Sequence, residues 1–89
     1  MVIQDIQIIN RLGLHARPAA MLVQTASEFE CDIKICKEQV QVNAKSIMGV
    51  LMLAAEYGST LQVQCDGKDE QQAARAIVDL FANKFNEEF

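Results

Sequence analysis

Asp32-Ile33-Lys34-Ile35-Cys36-Lys37-Glu38-Gln39-Val40-Gln41-Val42 alternates apolar and polar side chains on either side of a polar turn. Successive strand residues point to opposite faces, so Ile33 and Ile35 share one face, Asp32, Lys34 and Cys36 share the other, and Val40 and Val42 resume the pattern after Lys37-Glu38-Gln39. This is a hairpin with one apolar face, which needs a covering layer. Working outward, Val2, Ile6 and Ile8 oppose Asp5 and Gln7, which predicts a half-buried strand over residues 2–9, broken by Asn10-Arg11-Leu12-Gly13. Leu61, Val63 and Cys65 alternate in a last strand before the turn Asp66-Gly67-Lys68-Asp69.

The covering layer is also legible. Ala19, Leu22, Val23, Ala26 and Phe29 recur at spacings of three and four, predicting a helix from Ala16 to about Phe29. Ser46 precedes a short helical run from Ile47 to Ala55, stopped by Gly58. A final helix from Glu70 to Phe85 is expected to bury Ala73, Ala74, Ile77, Leu80, Phe81 and Phe85. The order β-α-β-β-α-β-α predicts a two-layer α+β sandwich with an antiparallel or mixed sheet, and residues 1–89 suffice for one domain.

Composition narrows the function. No early stretch joins a basic start, a long apolar run and a small-residue cleavage site, and no apolar run nears the roughly 20 residues of a membrane span, so a soluble cytoplasmic protein without membrane insertion is expected. Cys31, Cys36 and Cys65 are an odd number and read as small buried hydrophobes rather than a disulfide framework. The lone histidine lies far from them in sequence, so no metal site is expected, and nothing calls for a cofactor. A formal charge of −4 argues against nonspecific nucleic-acid binding. Acidic residues are nevertheless missing between Asp5 and Glu28 and between Glu38 and Glu56, windows that hold Arg11, Arg17 and Lys45 and would form a neutral-to-basic face.

The chemistry concentrates in Gly13-Leu14-His15-Ala16-Arg17-Pro18-Ala19-Ala20. Pro18 suits a first helical turn, where its missing N–H costs no helical bond, so His15 is expected at the cap. The unpaired N–H groups there, those of Ala16 and Arg17 included, and the positive end of the helix dipole favour a neutral, nucleophilic ring and an anion bound beside it. A phosphoryl group on a His15 ring nitrogen would meet these donors, and Arg17 would add a charge-assisted bond. Arg17 in a first turn is otherwise unfavourable by some tenths of a kcal/mol, which points to an anionic visitor. A lone histidine capping a helix beside a surface arginine is the plainer reading; Gly, cap-position His, Arg and first-turn Pro together outweigh it. No Asp or Glu lies near His15 in sequence to orient the ring, which disfavours a hydrolase or metal enzyme.

Ser46 is a good N-cap by its hydroxyl alone, and a phosphate there would be tolerated by the helix while repelling an acidic partner. The following helix is apolar on more than one face. Ile47, Val50, Leu51 and Ala54 form a stripe that can enter the core, and Met48, Met52 and Ala55 extend around it, leaving an exposed apolar patch suited to several partners. Ala20, Gln24, Ile47, Met48, Gly49, Leu51 and Met52 are the expected docking residues around His15.

The motif Gly13 to Ala20 resembles the phosphohistidine motif of the HPr family, histidine-containing phosphocarriers of the bacterial phosphoenolpyruvate-dependent phosphotransferase system. Asn43-Ala44-Lys45-Ser46-Ile47-Met48-Gly49-Val50-Leu51 resembles that family's regulatory serine motif, at the family's separation. The resemblance spans essentially the whole chain. It implies an open-faced sandwich with antiparallel strand order 1-4-2-3 and helices on one side. It further implies a non-enzymatic carrier whose His15, at Nδ1, accepts phosphate from Enzyme I and donates it to IIA-type proteins. Arg17 would assist, Ser46 would be open to an HPr kinase/phosphorylase, and the carrier is expected to be a monomer. The Met- and Ala-rich stretch Ile47 to Tyr57, Leu80-Phe81 and Phe85-Asn86-Glu87-Glu88 are similar to nitrogen-branch variants, which leaves sugar uptake and regulation both open. A purely regulatory binding module controlled at Ser46 ranks second. A small-molecule-binding module ranks third, since no Gly-rich phosphate loop is visible.

Overall fold

The computed structural model describes residues 1–87, so Glu88 lies outside the described residues. Four strands, β1 (Val2–Gln7), β2 (Asp32–Lys37), β3 (Val40–Asn43) and β4 (Thr60–Asp66), alternate with three helices, α1 (Ala16–Ala26), α2 (Ile47–Met52) and α3 (Glu70–Ala82). The strands form one antiparallel sheet in the order β1-β4-β2-β3. The expected α+β fold and strand order are both present.

Register follows the apolar alternation. Ile6 lies opposite Leu61, Ile33 opposite Cys65 and Ile35 opposite Val63, and all six are buried. A slip of one residue would turn every one of them to solvent. Ala19, Leu22 and Ala26 of α1, Val50 of α2, and Ala73, Ile77 and Phe81 of α3 complete the core from the helical side. The other sheet face is open and polar, with Gln41 of β3 donating to Gln64 of β4 over the intervening β2, and Gln64 donating to Gln62 along β4. In the hairpin, Glu38 takes φ 56°, the positive angle that a two-residue turn of matching twist needs at its first position.

Asp69 joins the two layers at the end remote from His15. Its carboxylate accepts from the backbone N–H groups of Glu30 at 2.9 Å and Cys31 at 3.0 Å, pinning the α1–β2 loop to the start of α3. These bonds, the Glu30 N–H foremost, hold the Asp69 carboxyl below its ordinary value of 3.8. Burial, with the Asp69 carboxylate beside it, pushes the Cys31 thiol up to about 12. All three cysteines are free; Cys31 and Cys65 are buried as expected, and Cys36 is half-buried.

Several boundaries differ from the sequence reading. The first strand ladder ends at Gln7 rather than residue 9, although Ile8 still exchanges backbone bonds with Gly58 and Ser59. The first helix ends at Ala26, where Ser27 and Glu28 close it with bonds to Val23 and Thr25 carbonyls, so Phe29 packs from the loop. The second helix stops at Met52 rather than Ala55, because Ala54 adopts φ 49° and turns the chain away. That exit inverts part of the expected stripe: Val50 is buried, but Ile47, Leu51 and Ala54 are exposed, and Leu53 and Ala55 enter the core instead. The last helix stops at Ala82 rather than Phe85. Lys84, Phe85 and Asn86 then all take positive φ, forming a terminal turn of opposite hand in which Leu80 stays half-buried and Phe85 is fully buried.

Candidate functional site

The loop between β1 and α1 is fixed from below. Gly13 has φ +66°, and a Cβ there would stand 2.6 Å from the carbonyl oxygen of Ala55, so only glycine fits this close approach. Leu14 donates its N–H to the same carbonyl at 2.9 Å, and its side chain is buried. Asn10, itself fully buried, donates from Nδ2 to the Gly13 carbonyl at 2.7 Å. The loop therefore has little freedom, and His15 emerges from it in a set direction.

His15 is the N-cap of α1, with extended backbone at φ −83° and ψ −170°, and its carbonyl accepts the first helical bond from Ala19 at 2.9 Å. Its side chain makes no capping bond. The first-turn N–H groups of Ala16 and Arg17 have no helical acceptor, and Pro18 has no N–H. No acidic residue occupies this turn. Arg17 is exposed and enters no ion pair among the described residues. A cap-position histidine, first-turn N–H groups without a helical acceptor and a guanidinium unpaired among the described residues thus lie at one helix terminus.

No acid lies near His15 in sequence, but the fold brings one to it. Glu87 lies 72 residues along the chain, yet its Oε2 is 2.9 Å from His15 Nε2. Its other oxygen, Oε1, accepts from Asn10 Nδ2 at 3.0 Å. The Glu87 side chain is only 6% exposed, whereas that of His15 is 36% exposed. The terminal turn makes this contact possible. Phe85 packs edge-to-face on Phe81, with ring centroids 4.8 Å apart, and Asn86 and Glu87 donate their N–H groups to the Asn83 and Lys84 carbonyls. Three left-handed non-glycine residues cost about 1–2 kcal/mol each, comparable to the roughly 3–5 kcal/mol carried by a buried Phe side chain, so the turn is held by Phe85 and by the polar contacts of Glu87 together.

Ser46 caps α2, its Oγ accepting from the Gly49 N–H at 3.2 Å. Lys45 does not join the face around His15: its Nζ donates to the Phe29 carbonyl at 2.7 Å, beyond the far end of α1. Between the two caps runs an apolar surface. Met48 and Met52 are 68% and 74% exposed, Ile47 and Leu51 lie beside them, Gly49 is half-buried, and Ala20, Gln24 and Ile47 line a shallow groove between α1 and α2. Leu12 and Tyr57, which the sequence reading leaves out, add exposed apolar area. Asn10 and Glu87 are the polar residues it misses. Neither carries a local signal, since their relation to His15 depends on long-range chain reversal.

The sequence matches the family model described as PTS HPr component phosphorylation site over residues 2–83. It is 50% identical over 88 residues to the phosphocarrier protein HPr of Treponema pallidum, covering 99% of this chain and 100% of that one. The fold superposes on the crystal structure of HPr-C-His from Thermoanaerobacter tengcongensis with TM-score 0.97 and 47% identity, covering 100% of both chains. It also matches an HPr dimer from that organism, with TM-score 0.79 and 49% identity over 92% of this chain and 94% of the other.

Proposed function

The chain belongs to the HPr family of phosphotransferase-system phosphocarriers, and from that premise we propose that His15 accepts a phosphoryl group from phospho-Enzyme I at Nδ1 and donates it to IIA-type proteins. The observation that carries this reading is the unmade cap of α1. His15 holds the cap position without a side-chain capping bond, its ring is partly exposed, and the first-turn N–H groups beside it have no helical acceptor. On loading, a new N–P bond forms at Nδ1 while the donor's bond to phosphorus breaks, its electron pair staying with the donor. The phosphoryl oxygens then accept from the Ala16 and Arg17 N–H groups and from the Arg17 guanidinium. Unloading is the same displacement, with Nδ1 as the leaving atom.

Partners dock on the apolar surface of Ala20, Gln24, Ile47, Met48, Gly49, Leu51 and Met52, and the carrier works as a cytoplasmic monomer that presents this face to one partner at a time. Ser46, modified by a kinase such as HPr kinase/phosphorylase, would place a dianion at the far edge of that face and weaken docking. Exposure of the two methionines supports this, since apolar side chains left in water gain most by meeting a partner.

Incubation with Enzyme I and phosphoenolpyruvate, followed by intact mass measurement, tests the reading. One acid-labile phosphoryl group on the wild type and none on His15→Ala is the expected result. A wild type that never loads beside active Enzyme I would move the assignment to a binding module controlled at Ser46. Met48→Glu is expected to load more slowly without loss of fold, and unchanged kinetics would remove Met48 from the docking face.

A further inference from the structure

We propose that Glu87 is a positioning residue that keeps hydrogen on Nε2 of His15, so that the Nδ1 lone pair is the one offered to phosphorus. The inference rests on the carrier reading of His15 and adds the group that prepares its ring.

The hydrogen-bond network dictates the tautomer. A carboxylate only accepts, so the 2.9 Å contact between Glu87 Oε2 and His15 Nε2 requires the ring to donate from Nε2. Glu87 is held for this by Asn10, whose Nδ2 donates both to Glu87 Oε1 and to the Gly13 carbonyl. Turning the Asn10 amide over would set its oxygen against two acceptors, so its orientation is fixed as well. The sequence of control runs from the Gly13 carbonyl through Asn10 and Glu87 to the ring.

The same contact suits the transfer step. When the Nδ1 lone pair bonds to phosphorus, the hydrogen stays on Nε2 and the ring becomes cationic. The Glu87 carboxylate, already at Nε2, then faces a positive ring, and no proton has to move. On unloading, the N–P electron pair returns to Nδ1 and the ring leaves as neutral imidazole, a far better leaving group than imidazolate. Glu87 favours exchange in both directions because it keeps the same hydrogen in place throughout.

Glu87→Gln separates this role from simple packing. Glutamine has nearly the same shape but offers one acceptor and one donor group. With Asn10 donating toward it, its oxygen faces Asn10 and its amide hydrogens face Nε2, which drives the ring hydrogen to Nδ1. Nitrogen-15 NMR of histidine-labelled, unphosphorylated protein at neutral pH reads this directly. The wild type is expected to carry hydrogen on Nε2 and E87Q mainly on Nδ1, with Glu87→Ala between them and circular dichroism showing all three folded. If about a tenth of E87Q retains the productive tautomer, loading by Enzyme I slows about tenfold. An unchanged ring hydrogen in both E87Q and E87A, or unchanged loading despite an inverted tautomer, overturns the proposal. A wild type that does not load overturns the carrier reading instead, and the NMR result on the resting ring is independent of it.

Discussion

The two helices that frame the proposed docking surface begin in opposite ways. At α2 the Ser46 hydroxyl accepts from Gly49 and closes its own terminus, whereas at α1 the His15 ring turns away and leaves the first-turn donors open. A closed terminus serves the stability of its helix; an open one gives up part of that stability to keep donors for a ligand. Asp69 offers a third variation at α3, where the cap side chain makes no bond to its own helix and accepts instead from Glu30 and Cys31. The surroundings, more than the helix, decide what a cap residue does.

The sharpest way to break the contrast is to remove what completes the open terminus. Phe85→Ala is expected to cost about 3–5 kcal/mol of stability, read by urea unfolding, and to detach Glu87 from the ring. Next, Arg17→Ala should slow loading about a hundredfold, the typical loss on deleting one donor to a transferring anion, with the melting temperature nearly unchanged. Rapid-quench transfer assays measure it, and wild-type rates would mean that the open donors alone hold the phosphoryl group.

At the closed terminus the effects are smaller. Ser46→Asp should slow transfer about tenfold through docking while leaving stability intact, because aspartate is itself a good cap. Ser46→Ala should do the reverse, losing about 1 kcal/mol of stability with loading preserved. The Asp69 cap gives a pH signature. Its carboxyl is held below 3.8 in the folded chain, so its contribution is fully present above that value and is lost as pH falls through the lowered one. Asp69→Asn should therefore melt earlier than wild type at neutral pH, and the gap between them should close in strong acid.

The sheet was legible because period-two alternation in Ile33, Ile35, Val63 and Cys65 is a local signal that register preserves. The start of α1 was legible for the same reason, Pro18 and the small residues around it acting within one turn. Helix ends were not, since Ala54 and Lys84 take positive φ under tertiary contacts that no propensity anticipates. Of the site, His15, Arg17 and Ser46 declare themselves by position. Glu87 does not, because only the burial of Phe85 and the reversal after α3 return it to His15.

That return has a consequence for biogenesis. The contact joins residues 72 positions apart, and nearly the whole chain must be in place before it can form. During synthesis the β2–β3 hairpin can pair as it emerges, whereas β1 waits for β4 and the ring at residue 15 waits for residue 87. The contact at the earliest motif is thus completed last, and a chain terminated before residue 87 would leave His15 without this partner.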